Sequence, residues 1–464
     1  MPHKVRILLP LFILLVLTLA CSLPSQPEPA EEIGTQVAQT LAAAAGEPSP
    51  TPEPAEPTAA PEETQPAPPT ETSLPPTPTS TPTTVPFHLV YVREGDAWLW
   101  TRGGSPAAVT STGDVVEADI SDDGQRVALV RKVDDTHEEI WVVNPDGSNL
   151  QSLVSAADFD GMTTDPNALT TRPSHLDWVP GSYTIVFNTY PTYMGPGYFL
   201  NNDLRLVDAD SGAQTTLLPP DQGGEFYYSP DGTKIAVVTP TQISVLNADG
   251  TNRRDLLTYP TVITYSEYNY YPRPVWAPDG SALRVVIPPE DPLAEPRQDT
   301  TLWHLPADGS PANNLFSKTT IPFFVQVPRL TPDTQKIAYL QVRTPGDDKK
   351  RELHLANADG SEDRLYATGP LIFHEWSPNG NHFIYTENGE NPKVGKPGEA
   401  PTPISGTSRI RDVKWINNRE YLYLNRNSGI WELWIGSLDT SNALIASSTG
   451  DIISYDFIPA SSGR

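Results

Sequence analysis

One short unit recurs along this chain and limits what the chain can fold into. Its clearest copy runs from Phe226 to Val238: two tyrosines, then Ser229-Pro230-Asp231-Gly232, then Ile235, Ala236, Val237 and Val238. It reads as strand, tight turn, strand. Proline presets φ at the second turn position, aspartate hydrogen-bonds back to the backbone, and glycine accepts the positive φ from which the next strand departs. Trp276-Ala-Pro-Asp-Gly280, Leu330-Thr-Pro-Asp333, Trp376-Ser-Pro-Asn-Gly380 and Ile120-Ser-Asp-Asp-Gly124 are further copies, each leading into a run of β-formers. Trp178-Val-Pro-Gly181 and Trp415-Ile-Asn-Asn418 are looser ones.

A second turn follows most copies: Asn144-Pro-Asp-Gly147, Asp208-Ala-Asp-Ser-Gly212, Asn247-Ala-Asp-Gly250, Pro306-Ala-Asp-Gly309 and Asn357-Ala-Asp-Gly360. Each unit is therefore four strands, a to d, with the first turn joining a to b and the second joining c to d. The units recur every roughly 40 to 58 residues, the spacing of propeller blades. The fold class is all-β, a β-propeller of four-stranded blades. Turn anchors near Ser121, Val179, Ser229, Ala277, Thr331, Ser377, Ile416 and Ile458 make eight blades. Seven is the alternative, because Asn391 to Ser405 makes poor c and d strands.

The two ends of the repeat region are each incomplete. His88 to Arg93 reads as b, Asp96 to Thr101 as c and Pro106 to Thr110 as d, with no a strand before them. Ile453 to Pro459 reads as an a strand with nothing after it. Together they are expected to complete one blade and to pair the edges that an open ring leaves exposed.

The repeated turns resemble the WD40-like PD40 repeat of TolB-type propellers and of the propellers attached to prolyl-oligopeptidase-like enzymes. The resemblance covers residues 87–459 and implies the fold. It says little of function, because such scaffolds carry many functions. TolB resembles a six-bladed version with a separate small domain before the propeller, and this sequence departs from it on both counts.

Composition sets further bounds. The formal charge is −26 over 464 residues. Residues 1–86 hold Lys4, Arg6 and nine glutamates, which leaves 29 basic and 48 acidic residues in the remainder, a net of −19. Nucleic acid and anionic lipid surfaces need a basic face, so this charge argues against both as partners. The charge serves solubility or, alternatively, an acidic pocket for cations or basic ligands.

Residues 1–20 have the shape of a signal peptide, a short basic start followed by the apolar run Ile7 to Leu19. Cys21 is the single cysteine and follows Ala20, which resembles the bacterial lipobox. That resemblance implies lipidation at Cys21 and an extracytoplasmic protein anchored to the cell membrane, or to the outer membrane in a cell that has one. Thr18 departs from the usual leucine. Within residues 21–46, Ile33, Val37 and Leu41 repeat at i+4 on a short candidate helix. Residues 47–86 are a disordered Pro/Thr-rich linker, and residues 87–464 form the propeller.

The long insertions are expected on one face. Ser155 to Ser174, Thr258 to Pro274 and Ser317 to Pro328 read as d–a connections. Tyr190 to Asn202, Pro288 to Thr300 and Thr344 to Lys350 read as b–c connections. Two are rich in tyrosine, which offers contact area, a hydroxyl and few rotors. Tyr190, Tyr193, Tyr198, Phe199, Tyr265, Tyr268, Tyr270, Tyr271 and Arg273 are the candidate ligand-binding residues; the other reading is that these rings cap the sheets. No cofactor and no catalytic residue is expected. The sequence has no Gly-x-Ser-x-Gly elbow, and no hydrolase domain follows the propeller. His304 and His354 differ in register, so a shared metal is not expected either. The partner is a protein, peptide or glycan of the cell envelope. Alternatives are a polysaccharide lyase or hydrolase with its site at the central channel, and a TolB-like envelope-assembly scaffold.

Overall fold

Each tight turn closes on itself through side chains. Ser229 Oγ donates to Asp231 Oδ1 at 2.6 Å and accepts the Lys234 N–H at 2.9 Å, while Asp231 Oδ1 accepts the Thr233 N–H at 3.1 Å. Gly232 follows at φ 68°. The same arrangement recurs at Ser121–Asp123, Thr331–Asp333 and Ser377–Asn379, where asparagine replaces the aspartate. Such a turn satisfies its own polar groups and fixes the register of the hairpin it starts.

The computed structural model describes residues 87–458, apart from 196, 198, 344–346, 348, 408 and the side chain of 453. They form eight four-stranded antiparallel sheets, so the protein is an eight-bladed β-propeller. Seven blades are sequential meanders. The remaining one, blade 1, joins Ile452–Ile458 to His88–Arg93, Asp96–Thr101 and Ala107–Ala108. His88 pairs with Ile458 and Tyr91 with Tyr455, so the two end segments close the ring as expected. The inner strands of blades 2 to 8 are Val115–Ile120, Thr170–Trp178, Glu225–Tyr228, Val275–Trp276, Arg329–Leu330, Leu371–Trp376 and Ile410–Trp415.

The seven-blade alternative fails at blade 7. Glu390–Gly395 pairs with Phe383–Glu387 and with Thr402–Pro403. A Cβ at Gly395 would lie 2.4 Å from the Phe383 ring. The glycine that weakens the strand in sequence makes room for an aromatic side chain on its neighbour.

The core is divided into eight layers, one between each pair of adjacent blades. The b strands supply both sides. Ile235 and Val237 face blade 3, and Ala236 and Val238 face blade 5, so these strands are apolar on both faces. Tryptophans at the ends of inner strands tie the layers together. Nε1 of Trp178, Trp276, Trp376 and Trp415 donates to the carbonyl of Asp119, Tyr227, Arg329 and Glu375, each on the inner strand of the preceding blade.

All six long insertions connect d to a or b to c, which places them on one face of the ring. Two boundaries differ from the sequence reading by more than two residues. Residues 170–174 belong to the inner strand Thr170–Trp178, and Tyr190 lies in the strand Thr184–Thr192 rather than in a loop. Pairing across nine residues with the neighbouring strand extends both. The insertion between blades 2 and 3 carries a one-turn helix, Ala156–Gly161, capped by Ser155 and Asp158. Phe87 and Ile458 lie on the opposite, tight-turn face, where a Cβ on Gly124 would be 3.1 Å from Ile458 and 3.5 Å from His88. The segment before Phe87 thus joins the propeller on the plain face. Cys21, the signal-like run, the short helix and the linker lie outside the described residues. Among the described residues no helix is long and apolar enough to cross a membrane.

Candidate functional site

The ring encloses a central cavity of about 1270 Å³. Its wall follows from strand periodicity. Successive residues of an inner strand point alternately toward the axis and into the sheet seams. In seven of the eight blades the residue two positions before the turn anchor therefore faces inward. Asp456, Asp119, Asp177, Val275, Arg329, Glu375 and Lys414 hold that place in blades 1, 2, 3, 5, 6, 7 and 8, and all line the cavity.

Acids are densest on blades 1 to 3, while blades 5 to 8 mix Arg273, Arg329 and Lys414 with Glu375 and Asp412. Blades 1 to 3 contribute Asp456, Asp119, Glu117 and Asp177, an arc of acids. Asp456 Oδ2 accepts the Ile120 N–H at 3.2 Å, and Asp177 Oδ1 accepts the Trp178 N–H at 2.7 Å. Burial, then the charge of Asp456 and a hydrogen bond to it, pushes the Asp119 carboxyl well above the usual carboxylate range. A hydrogen bond between two carboxyl groups needs one proton between them. Burial also pushes Glu117 up to about 7, with Glu138, Asp177 and Asp456 adding and Lys414 opposing. Asp177 is pushed up to about 6, again first by burial. Lys414 Nζ donates to the Tyr455 carbonyl at 2.8 Å and lies 4.8 Å from the Tyr455 ring.

Across the cavity stand Arg273 and Arg329. Burial, aided by Arg329, lowers His374 to about 4, so its imidazole is neutral at pH 7; Nε2 lies 3.2 Å from Thr386 Oγ1. His175 is lowered in the same way, by burial and then by Arg273. Glu375 and Glu225 are raised by burial, which the neighbouring arginines partly oppose. Tyr270 packs on Phe323 with ring centroids 4.6 Å apart, and both line the cavity.

The candidate binding residues separate into groups. Tyr270, Tyr271 and Arg273 line the cavity. Tyr271 Oη donates to Asn202 Oδ1 at 3.0 Å, which joins the two tyrosine-rich insertions. Phe199, Tyr265 and Tyr268 are exposed on the loops. Tyr193 Oη and Tyr265 Oη donate to Asp165 and Asp291 of neighbouring insertions, both at 2.7 Å. Tyr190 is half-buried in its strand, where a hydrogen bond from Arg172 opposes the upward push of burial on its phenol. Tyr198 lies outside the described residues. Met194, Ile263, Leu293 and Phe324 add exposed apolar side chains to the same face. Sequence reasoning missed the acidic arc and the Phe323–Phe324 pair. The usable signal was a charged residue two positions before the turn anchor, as in Asp177-Trp178, Glu375-Trp376 and Lys414-Trp415. Among the described residues, no group of three or more His, Cys, Asp or Glu side chains has the geometry to hold a metal ion.

No protein family and no curated protein matches the sequence. Solved structures do share the fold. Dipeptidyl peptidase 4 from Porphyromonas gingivalis is 10% identical over 77% of this chain and 57% of its own, with a TM-score of 0.50. TolB from Acinetobacter baumannii is 14% identical over 63% of this chain and 66% of its own, with a TM-score of 0.33. An oligogalacturonate lyase in complex with manganese is 13% identical over 66% of this chain and 81% of its own, with a TM-score of 0.41. This chain thus spans less than two thirds of the peptidase and of TolB. At these identities the likeness is one of fold alone.

Proposed function

We propose that this chain is an extracytoplasmic, membrane-anchored lipoprotein whose propeller binds a protein, peptide or glycan segment through its loop face. The observation that carries this reading is the asymmetry of the ring. Every long insertion lies on one face, two of them meet through Tyr271 and Asn202, and aromatic side chains continue from the exposed rim into the cavity at Tyr270 and Phe323. The first described residue, Phe87, lies beside the opposite, tight-turn face. A rim of tyrosine and phenylalanine around a concave, polar-lined opening is the usual build of a recognition site.

The test is a peptide and glycan array probed with the full-length protein and two kinds of variant. Tyr268→Ala and Phe324→Ala alter the rim, and Asp249→Asn alters a plain-face turn. Binding lost in the rim variants and kept in the plain-face variant is expected. Binding indifferent to both rim variants would sink the reading, as would a blank array. Removal of the whole 258–274 insertion is a poor test, because Tyr259 and Val262 are core residues. Metabolic labelling with a fatty acid, compared between the natural chain and Cys21→Ala, tests the anchor.

A further inference from the structure

We propose that Arg273 and Arg329 form a carboxylate-binding subsite in the central cavity, which takes the C-terminal carboxylate of a peptide whose last side chain is aromatic or apolar. This rests on the loop-face reading above and adds the chemistry of the ligand.

The charge of the wall singles out this sector. From Tyr270 to Pro332 the residues that line the cavity include two arginines and no acid. Among the described residues, neither guanidinium makes a hydrogen bond or an ion pair. That is unusual for this acidic chain. Arg102, Arg131, Arg205 and Arg419 each have a carboxylate oxygen within 2.7 Å. Arg273 and Arg329 both bear on Glu375, which places them around one part of the wall, yet its carboxylate accepts the Trp376 N–H at 3.1 Å instead. Both arginines are exposed in the cavity, so an incoming group reaches them. The guanidinium fork matches the two oxygens of a carboxylate and binds them through paired hydrogen bonds.

Depth decides which carboxylate fits. Each inner strand runs from the loop face toward its tight turn. Arg273 comes two residues before Val275, and Arg329 holds the level of Val275 on the next blade. Both therefore lie inside the rim, where Tyr268 and Phe324 are exposed. A chain end that enters from the loop face reaches them directly. A carboxylate within a chain brings backbone on both sides and must turn back.

The neighbouring wall sets the last side chain. Tyr270 packs on Phe323 with centroids 4.6 Å apart, and Val325, Val327 and Phe373 also line the cavity. The insertion that carries Phe323 is fixed to blade 7. Gln326 Oε1 accepts the Phe373 N–H at 2.9 Å, and Gln326 Nε2 donates to the Phe373 carbonyl. An apolar wall built in advance beside two unpaired cations suits a terminal residue with an aromatic or apolar side chain.

The experiment is calorimetric titration of the full-length protein at pH 7 with three probes. They are acetyl-Ala-Ala-Tyr-Phe with a free carboxylate, the same peptide as its amide, and acetyl-Ala-Asp-Tyr-Phe amide, whose carboxylate lies within the chain. The free acid is expected to bind at least tenfold tighter than either amide. Arg273→Gln and Arg329→Gln should each weaken the free acid at least fivefold and leave the amides unchanged. Thermal melts check that the variants fold; lysine, which keeps the charge and loses the fork, replaces glutamine in one that does not. Equal binding of acid and amide overturns the inference, as does acid binding indifferent to both substitutions, or no binding of any peptide. Binding of inorganic phosphate or of a uronic acid trisaccharide without the free acid overturns it too, in favour of a free oxyanion or an acidic glycan. Equal binding of acid and amide that Tyr268→Ala abolishes would leave the loop-face reading intact while this inference fails.

Discussion

Removing a negative charge from the cavity should make the propeller more stable at neutral and alkaline pH. Glu117→Gln keeps the shape of the side chain and removes its ionisation. The folded protein holds the Glu117 proton up to about pH 7, against an ordinary value of 4.5. Between those values the native state binds more protons than the unfolded chain, so stability falls as pH rises through that window. Below pH 4.5 both states are protonated and the penalty is absent. Above pH 7 it is complete. At about 1.4 kcal/mol per pH unit, the penalty is about 3 kcal/mol. Urea denaturation at pH 8.0 and at pH 4.5 should show the variant more stable by about 2–3 kcal/mol at the higher pH and unchanged at the lower. A variant equally affected at both pH values would mean that packing rather than charge governs the site. A variant destabilised at pH 8.0 would mean that the carboxylate is paired, and the account of the arc would fall. Asp177→Asn should shift stability in the same direction over a lower window, from 3.8 to about 6, but by much less, because its side chain is exposed and water screens the charge. Since the charge of Asp177 adds to the shift of Glu117, the double variant should gain less than the sum.

Other expectations follow from the frame. Trp276→Phe leaves the Tyr227 carbonyl without its donor and should cost about 1–3 kcal/mol in the same denaturation assay. Gly395→Ala drives a Cβ into the Phe383 ring and should cost about 1–3 kcal/mol; adding Phe383→Leu should recover part of it. Ser229→Ala removes a buried hydroxyl that both donates and accepts within its turn, and should cost about 1–2 kcal/mol by thermal or urea unfolding.

The blades were legible because turn chemistry is local. Ser229, Asp231 and Gly232 do their work within five residues of chain, so the same letters recur wherever the same turn is made. The closing blade was legible because each end lacked what the other supplied. The cavity was not. Asp119 and Asp177 are 58 positions apart in the chain, and Asp456 is farther still, so their proximity exists only once the ring has closed. Each alone looks like an ordinary polar residue in a strand with one solvated side. The tyrosine-rich insertions stood out by composition, but composition could not separate Tyr270, which lines the cavity, from Tyr190, which extends a strand. Blade 7 was doubtful for the same reason: Gly395 makes sense only beside Phe383, and the two meet across a hairpin.

Blade 1 makes the whole wheel wait for its last piece. Ile452–Ile458 is synthesised after every other strand of the ring, and until it arrives His88–Arg93 lacks one neighbour. A chain cut short by a premature stop would present the bare edge of His88–Arg93 to other chains, whereas in the closed ring that strand is paired on both sides. Arrival of the last strand and the covering of the first one are thus the same event.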